Sequence, residues 1–291
     1  MGVGAGLKDV IAQEGIFRQE VGMLFKMILD KINRRSFYLG GVALGLLGLA
    51  ACSTTPATNG HTTLVASGHP DWPPVMFAKN GQIDGVGPAL AKKIFADLNI
   101  KATFPEEGLW DQVLLKTRNG DVDMLVAAYK TTERLEYFTY ADTYITDPLV
   151  LFVKKGKEFT FAKNEDLIGK TGVGTTGDSY GQEFDDYIKH KLGFEWVATS
   201  KEALDMVAAG KADYFIYSLY AGHEELMTEK RVDDFVELPQ AVSQEPFYMV
   251  FSKKSAFVKY VPQINELMAK YKADGTLDKM IADYKKQSGL E

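Results

Sequence analysis

Arg134 is the residue whose type and setting point most directly to chemistry. It lies in the stretch 127–142, AAYKTTERLEYFTYAD, behind Thr131, Thr132 and Glu133. The apolar run from Met124 to Ala128 reads as a short strand, and the two threonines read as N-caps of a following helix, which puts Arg134 in its first turn. A positive charge is disfavoured there, beside unpaired backbone N–H groups and the positive end of the helix dipole. A planar guanidinium combined with free N–H groups suits a small anion, above all a carboxylate held by two parallel hydrogen bonds. A solvated surface arginine is the plainer alternative for this stretch taken alone.

A second anion cradle is suggested by 172–181, GVGTTGDSYG. It follows the turn at 166–170 and precedes a helix predicted from Gln182 onward, so it is placed to present backbone N–H groups and Ser179 Oγ. The lysine of a P-loop is missing and GxGxxG does not fit, so nucleotide binding lacks its parts. A tight loop with no ligand is the alternative. No HExxH occurs, and His61, His69, His190 and His223 are scattered. No cofactor and no metal are expected, and the chain is not read as an enzyme.

The elements that must position these residues alternate between strand and helix. Thr62 to Ser67 is strand-like, and Gly68 to Pro74 is a rigid loop carrying Trp72. Pro88 opens a helix with Leu90, Ile94 and Leu98 on one face. A second helix starts near Trp110, buries Val113, Leu114 and Thr117, and stops at Gly120. This rhythm predicts an α/β fold with open, largely parallel sheets and ligand sites at the carboxyl ends of the strands. Asn119 to Val126 is echoed ninety residues later by Ala209 to Ile216, each a helix end, a glycine and an apolar strand. Two similar lobes are implied, with strand ends near Ala127–Tyr129 and Tyr217–Ser218 facing each other across a cleft. Two amphipathic helices close the chain, with Ile264, Leu267, Met268 and Tyr271 on one and Leu277, Met280, Ile281 and Tyr284 on the other.

The 291 residues are 46% hydrophobic and 25% charged, enough for one large domain or two smaller lobes with real cores. A net charge of -6, with no Lys/Arg block longer than a pair after residue 35, leaves nucleic acid without an electrostatic footprint. Lys31, Arg34 and Arg35 precede an uncharged apolar run of fifteen residues, Phe37 to Ala51, shorter than the roughly 20 that a membrane span needs. Residues 33–37 are similar to a twin-arginine export signal. Leu49-Ala50-Ala51-Cys52 resembles a bacterial lipobox, and Cys52 is the only cysteine. Lipidation at Cys52 is therefore expected, with 1–51 as an upstream extension plus lipoprotein signal peptide, Met27 as the expected initiator and 52–61 as a flexible tether.

Several short motifs, none specific alone, share an order and spacing that resemble the family 3 extracellular solute-binding proteins, which include the polar amino-acid receptors of bacterial ABC importers. They are Trp72-Pro73-Pro74, Trp110-Asp111, Gly120-Asp121-Val122-Asp123, Thr131-Thr132-Glu133-Arg134, Gly177-Asp178-Ser179 and Asp274-Gly275-Thr276-Leu277. The resemblance runs from about Thr62 to Tyr284. It implies a two-lobed periplasmic-binding-protein fold of type II, each lobe a mostly parallel sheet flanked by helices. Lobe 1 would be 62–149 plus 246–291 and lobe 2 150–245, joined by crossing strands near 149–153 and 243–248. It implies a monomer that closes by a hinge over a small carboxylate-bearing solute, an amino acid or analogue, and delivers it to an ABC permease from the periplasm or cell surface. Arg134 matches the carboxylate grip, Ser179 with the Asp178 backbone the second-lobe turn that shares it, and Trp72 and Trp110 the aromatics flanking the solute.

Two positions depart from the pattern. Ser218 stands where an acidic residue usually holds the ligand's ammonium group, and Tyr129 where a small hydroxyl residue is usual. A serine does not neutralise an ammonium, and a buried unpaired charge costs several kcal/mol, so a solute without the α-amino group is one expectation. Tyr129, Tyr144, Tyr217 and Tyr220 then either build a hydroxyl-rich pocket or serve as core. An enzyme similar to cyclohexadienyl dehydratases is an alternative that needs a buried acid near the second-lobe strand end. Glu107, Asp178 and Glu245 are its candidates, each more simply a solvated loop charge. A receptor that signals occupancy without a transporter is a further alternative.

Overall fold

The computed structural model describes residues 62–287, so the expected signal peptide, the expected lipidation site Cys52 and the expected tether lie outside the described residues. Eight strands form the path of one mixed sheet. Its first flank is parallel, with β1 (Leu64–Ser67) between β5 (Ala102–Thr103) and β6 (Met124–Ala128). The other flank is also parallel, with β8 (Thr171–Thr175) between β9 (Gly193–Val197) and β10 (Tyr214–Ser218). Between the flanks run two antiparallel strands, β7 (Phe138–Lys154) and β12 (Ser243–Ser252). A short strand, β11 (Phe235–Glu237), pairs with β7, and β2 (Asp71–Trp72), β3 (Met76–Lys79) and β4 (Gln82–Asp84) form a separate small sheet. The type II architecture expected from sequence is present, with its two flanks fused through β7 and β12 into one sheet.

β6 and β10 are buried at every position, as strands covered on both faces must be. On the first flank α1 (Val86–Asp97) packs against α7 (Val261–Ala273) and α8 (Thr276–Gln287). On the second, α5 (Ser200–Ala208) covers β8, β9 and β10. α2 (Trp110–Asn119), α4 (Gln182–Lys191) and α6 (Leu219–Thr228) complete the layers, while the helix expected after Thr132 is a single turn, α3 (Arg134–Tyr137). Among the described residues no helix is long and apolar enough to cross a membrane.

The internal echo has one physical job, carried out twice. The Asp123 N–H donates to the Val65 carbonyl at 2.8 Å and its Oδ2 accepts from the Val65 N–H at 2.9 Å. On the other flank the Asp213 N–H donates to Thr171 at 2.7 Å and its Oδ2 accepts from the Thr171 N–H at 2.7 Å. Each aspartate clamps an incoming strand to its parallel neighbour. The glycine before each clamp, Gly120 at φ 89° and Gly210 at φ 69°, reverses the chain out of the preceding helix in the left-handed region open to glycine.

Candidate functional site

Arg134 is only 8% exposed. Its backbone N–H is capped by Thr131 Oγ1 at 3.2 Å, while the Thr132 N–H instead donates to Gln182 Oε1 on α4 at 2.8 Å. The guanidinium folds inward over the Trp110 ring at 5.7 Å. It donates through Nη1 to the Tyr129 carbonyl at 3.0 Å and through Nη2 to the Gly177 carbonyl at 2.9 Å. Arg134 thus ties the end of β6 to the turn after β8, using on carbonyl oxygens two of the N–H groups that a carboxylate would take.

The glycine-rich cradle differs from expectation. Thr171–Thr175 is strand, so only 176–181 remains as a turn. The Asp178 N–H donates to the Thr175 carbonyl at 3.0 Å, and Ser179 Oγ–H donates to Asp185 Oδ2 on α4. Asp185 also accepts from the Tyr180 N–H at 2.7 Å, and burial holds its carboxyl above the ordinary range. The donors expected to face an anion are therefore already engaged, the Asp178 N–H by the Thr175 carbonyl and the Ser179 hydroxyl by the Asp185 carboxylate from the first turn of α4. The Asp178 side chain turns inward, its Oδ1 3.4 Å from His69 Nε2. His69 Nδ1 accepts from the Asp71 N–H at 2.9 Å, which leaves the proton of a neutral ring on Nε2, facing Asp178. Among the described residues Asp178 Oδ2 and His69 Nε2 have no hydrogen-bond partner, and both are buried.

Trp72, Trp110 and Tyr129 meet around His69. Its ring lies 5.2 Å from both tryptophans, Trp72 is 6.1 Å from Tyr129 and 4.7 Å from Tyr217, and Tyr129 stacks on Phe247 at 4.4 Å. The rings of His69, Trp72, Trp110, Tyr129 and Phe247, with Arg134, Asp178 and Ser179, line a cavity of ≈ 20 Å³. That is room for about one water, so a solute enters only if the halves part or a side chain moves. A groove of ≈ 680 Å³ lies outside it between α2 and α4, and Arg134, Asp178 and Ser179 line both spaces.

Behind Trp72 and Tyr129 lies Asp147, 1% exposed, in the middle of β7. Its Oδ2 accepts from Trp72 Nε1–H at 2.8 Å and from the Tyr129 hydroxyl at 2.7 Å, and its Oδ1 from the Ser218 hydroxyl at 2.8 Å. Burial pushes its pKa up to about 6 against the opposing pull of those three hydrogen bonds. Burial, with the Asp147 charge beside it, also holds the Tyr129 phenol well above its ordinary value. Sequence reasoning missed Asp147, although it is the one charged residue between Thr143 and Val153. It passed over His69 as well.

The tyrosines divide. Tyr129 lines the cavity and Tyr217 packs on Trp72 behind it, Tyr144 donates to the Val126 carbonyl at 2.9 Å, and Tyr220 on α6 accepts from Lys285 Nζ at 3.2 Å. Glu107 pairs with Lys116 at 2.6 Å away from the cavity. Glu245 is half-buried, its carboxyl raised mainly by that burial. No cluster of three or more metal-ligating side chains occurs among the described residues.

A cleft formed where two flanks of one sheet adjoin, walled by aromatic rings and containing an arginine and buried carboxylates, defines a binding protein for a small polar solute. A family model for bacterial extracellular solute-binding proteins, family 3, matches residues 64–287, and the chain belongs to that family. PatH of Vibrio harveyi, named as an amino-acid ABC transporter-binding protein, is 26% identical over 82% of this chain and 93% of its own. The L-cystine-binding protein TcyA of Bacillus subtilis is 25% identical over 63% of this chain and 65% of its own. The fold is shared with AbpA of Streptococcus pneumoniae, an amino-acid ABC transporter substrate-binding protein solved with L-arginine. That structure has a TM-score of 0.64 and 22% identity, over 79% of this chain and 97% of that one.

Proposed function

We propose that this solute-binding protein captures a small carboxylate-bearing solute, an amino acid or a relative of one, and delivers it to an ABC permease. The observation that carries the reading is Arg134, a buried guanidinium that lines the cavity and spans from β6 to the turn after β8. Two of its five N–H groups are bonded to carbonyls, and the others remain to grip a carboxylate. The lobes are 62–149 with 246–291, and 150–245, closing on the solute about β7 and β12. Trp72, Trp110, Tyr129, Asp178, Ser179 and Ser218 complete the ligand-binding set. The solute-bearing domain acts as a monomer, tethered to a membrane through a lipid on Cys52.

Binding rather than catalysis is the better reading of the buried acid. Both Asp147 oxygens are engaged by protein groups, Oδ2 by Trp72 and Tyr129 and Oδ1 by Ser218, so the carboxyl is not presented to a departing hydroxyl as a general acid would be. The named specificities of the relatives, cystine for TcyA and the arginine found in AbpA, support an amino-acid-like solute. The test is a thermal-shift screen of common amino acids, their deaminated analogues and small di- and tricarboxylates, followed by calorimetry. A solute at 100 times its dissociation constant adds about 2.7 kcal/mol of stability. Arg134→Ala is expected to cost about 2 to 4 kcal/mol of affinity for the best carboxylate; equal binding by wild type and variant would remove Arg134 from the site.

A further inference from the structure

Asp147 is a buried carboxylate without a cation. No lysine, arginine or histidine among the described residues forms an ion pair with it. Its three partners are neutral donors from three separate elements: Trp72 from β2, Tyr129 from the end of β6 and Ser218 from the end of β10. Glu245 on β12 is its register partner and adds negative charge on the same side, and the cation whose field reaches it is Lys285 on α8, already bonded to Tyr220. A cavity with Asp178 on one wall and Asp147 directly behind two others therefore carries more negative charge than Arg134 balances.

We infer that Asp147 receives the cationic nitrogen of the solute, and that Trp72 Nε1–H occupies that place until the solute arrives. The carboxylate missing at 218 is supplied from the adjacent strand. Ser218 pairs with Leu149 in register, two positions from Asp147, and its hydroxyl fixes one oxygen of that carboxylate. Trp72 and Tyr129 both line the cavity and both donate to Oδ2, so an ammonium that displaces the indole finds an ionised oxygen at hydrogen-bond range. Exchanging a neutral N–H for a charged one on a desolvated carboxylate strengthens the contact. This assignment rests on the proposed capture of a solute between the lobes.

The experiment compares each α-amino acid that stabilises the wild type with its own deaminated analogue and its own decarboxylated amine, in wild type and Asp147→Asn. Asparagine keeps an oxygen for Trp72 and Tyr129, and its amide can donate to Ser218, so the three contacts have a neutral replacement. Calorimetry at pH 7.5 is expected to show the wild type preferring the amino acid over the deaminated analogue at least tenfold, and Asp147→Asn abolishing that preference while keeping the analogue. The wild type is expected to lose affinity for the amino acid roughly tenfold between pH 7 and pH 5, as a carboxyl titrating near 6 is neutralised, with the analogue unchanged. Glu245→Gln, which removes the carboxyl of Asp147's register partner on β12, should leave that profile in place. This profile decides the matter if Asp147→Asn fails to fold. Equal binding of amino acid and analogue by wild type, equal losses for both in Asp147→Asn, or a flat profile overturns the role of Asp147 and leaves the carboxylate grip standing. Binding of amines but no carboxylates overturns the Arg134 reading and leaves Asp147 standing; binding of neither overturns both.

Discussion

Trp72, Tyr129 and Ser218 do for Asp147 what water does for an exposed carboxylate: they stabilise its ionised form. Removing one donor should therefore raise its pKa beyond about 6. Tyr129→Phe and Ser218→Ala are each expected to shift it upward by on the order of one pH unit, since a hydrogen bond to a charged group contributes about 1.5 to 3 kcal/mol and one unit is about 1.4. The carboxyl chemical shift of Asp147 across a pH titration reads this directly, and an unchanged midpoint in both variants would show that the donors do not govern it. Arg134 could be singled out from the sequence because a cation at a predicted helix start violates a local rule, which is visible in a few neighbouring letters. Asp147 could not be read the same way, because Asp-Pro looks like a turn. Its meaning comes from Trp72, 75 residues away, and Ser218, 71 residues away.

Elements were legible where one chain segment fixes them. The helix that ends at Gly120, the strand that follows it and the echo at 209–216 all appear where the periodicity and the glycine placed them. The run from Gly172 was not legible as strand, because its glycines serve packing rather than a loop. A Cβ on Gly172 would come within 2.6 Å of the Phe194 and Tyr214 rings, and one on Gly174 would collide with the Tyr180 hydroxyl. Only the neighbouring strands reveal that crowding. The paired clamps lead to a comparison within one molecule. Asp123 is fully buried and also accepts from Ser255 Oγ at 2.8 Å, whereas Asp213 is exposed. Asp123→Ala is expected to cost about 3 kcal/mol and Asp213→Ala about 1, because only the first leaves buried donors unpaired. Denaturant unfolding checks both; equal costs would mean that burial does not set the value of the clamp.

At the scale of the whole molecule, the flanks meet near two acids, Asp147 and Glu225, that burial makes easier to protonate than exposed ones. Ser200 Oγ–H donates to Asp71 Oδ2 and the Tyr217 hydroxyl to the Asp71 carbonyl, joining α5 and β10 to β2. Burial, and then the Asp71 charge, raises Glu225 beside them to about 7. Asp147 and Glu225 both titrate higher in the folded protein than in the unfolded chain, so the folded state gains protons first and becomes more stable as pH falls from about 7 toward 5. Asp97, Asp205 and Asp274 are shifted downward, and their contribution is lost only below the ordinary carboxylate range. The melting temperature without solute is expected to be higher at pH 5.5 than at pH 7.5, with Asp147 contributing about 1 kcal/mol of the difference. Calorimetric scans of wild type and Asp147→Asn test this, and a wild type that melts lower at pH 5.5 would reverse the sign.

β7 and β12 pair from Ser243 opposite Leu149 to Ser252 opposite Phe138, with the register slipping on either side of Tyr248. Because that ladder continues through its irregularities from one flank to the other, the connection between them is a flexure and not a pin joint. A pin turns freely, but a bent ribbon resists in proportion to its bending and returns to a rest angle. The irregularities around Tyr248 are where such a ribbon yields most readily. If the proposed lobes close about β7 and β12, the stiffness of a few hydrogen-bonded residues sets how far the cleft opens, and substitutions at that slip would retune the aperture without touching the solute.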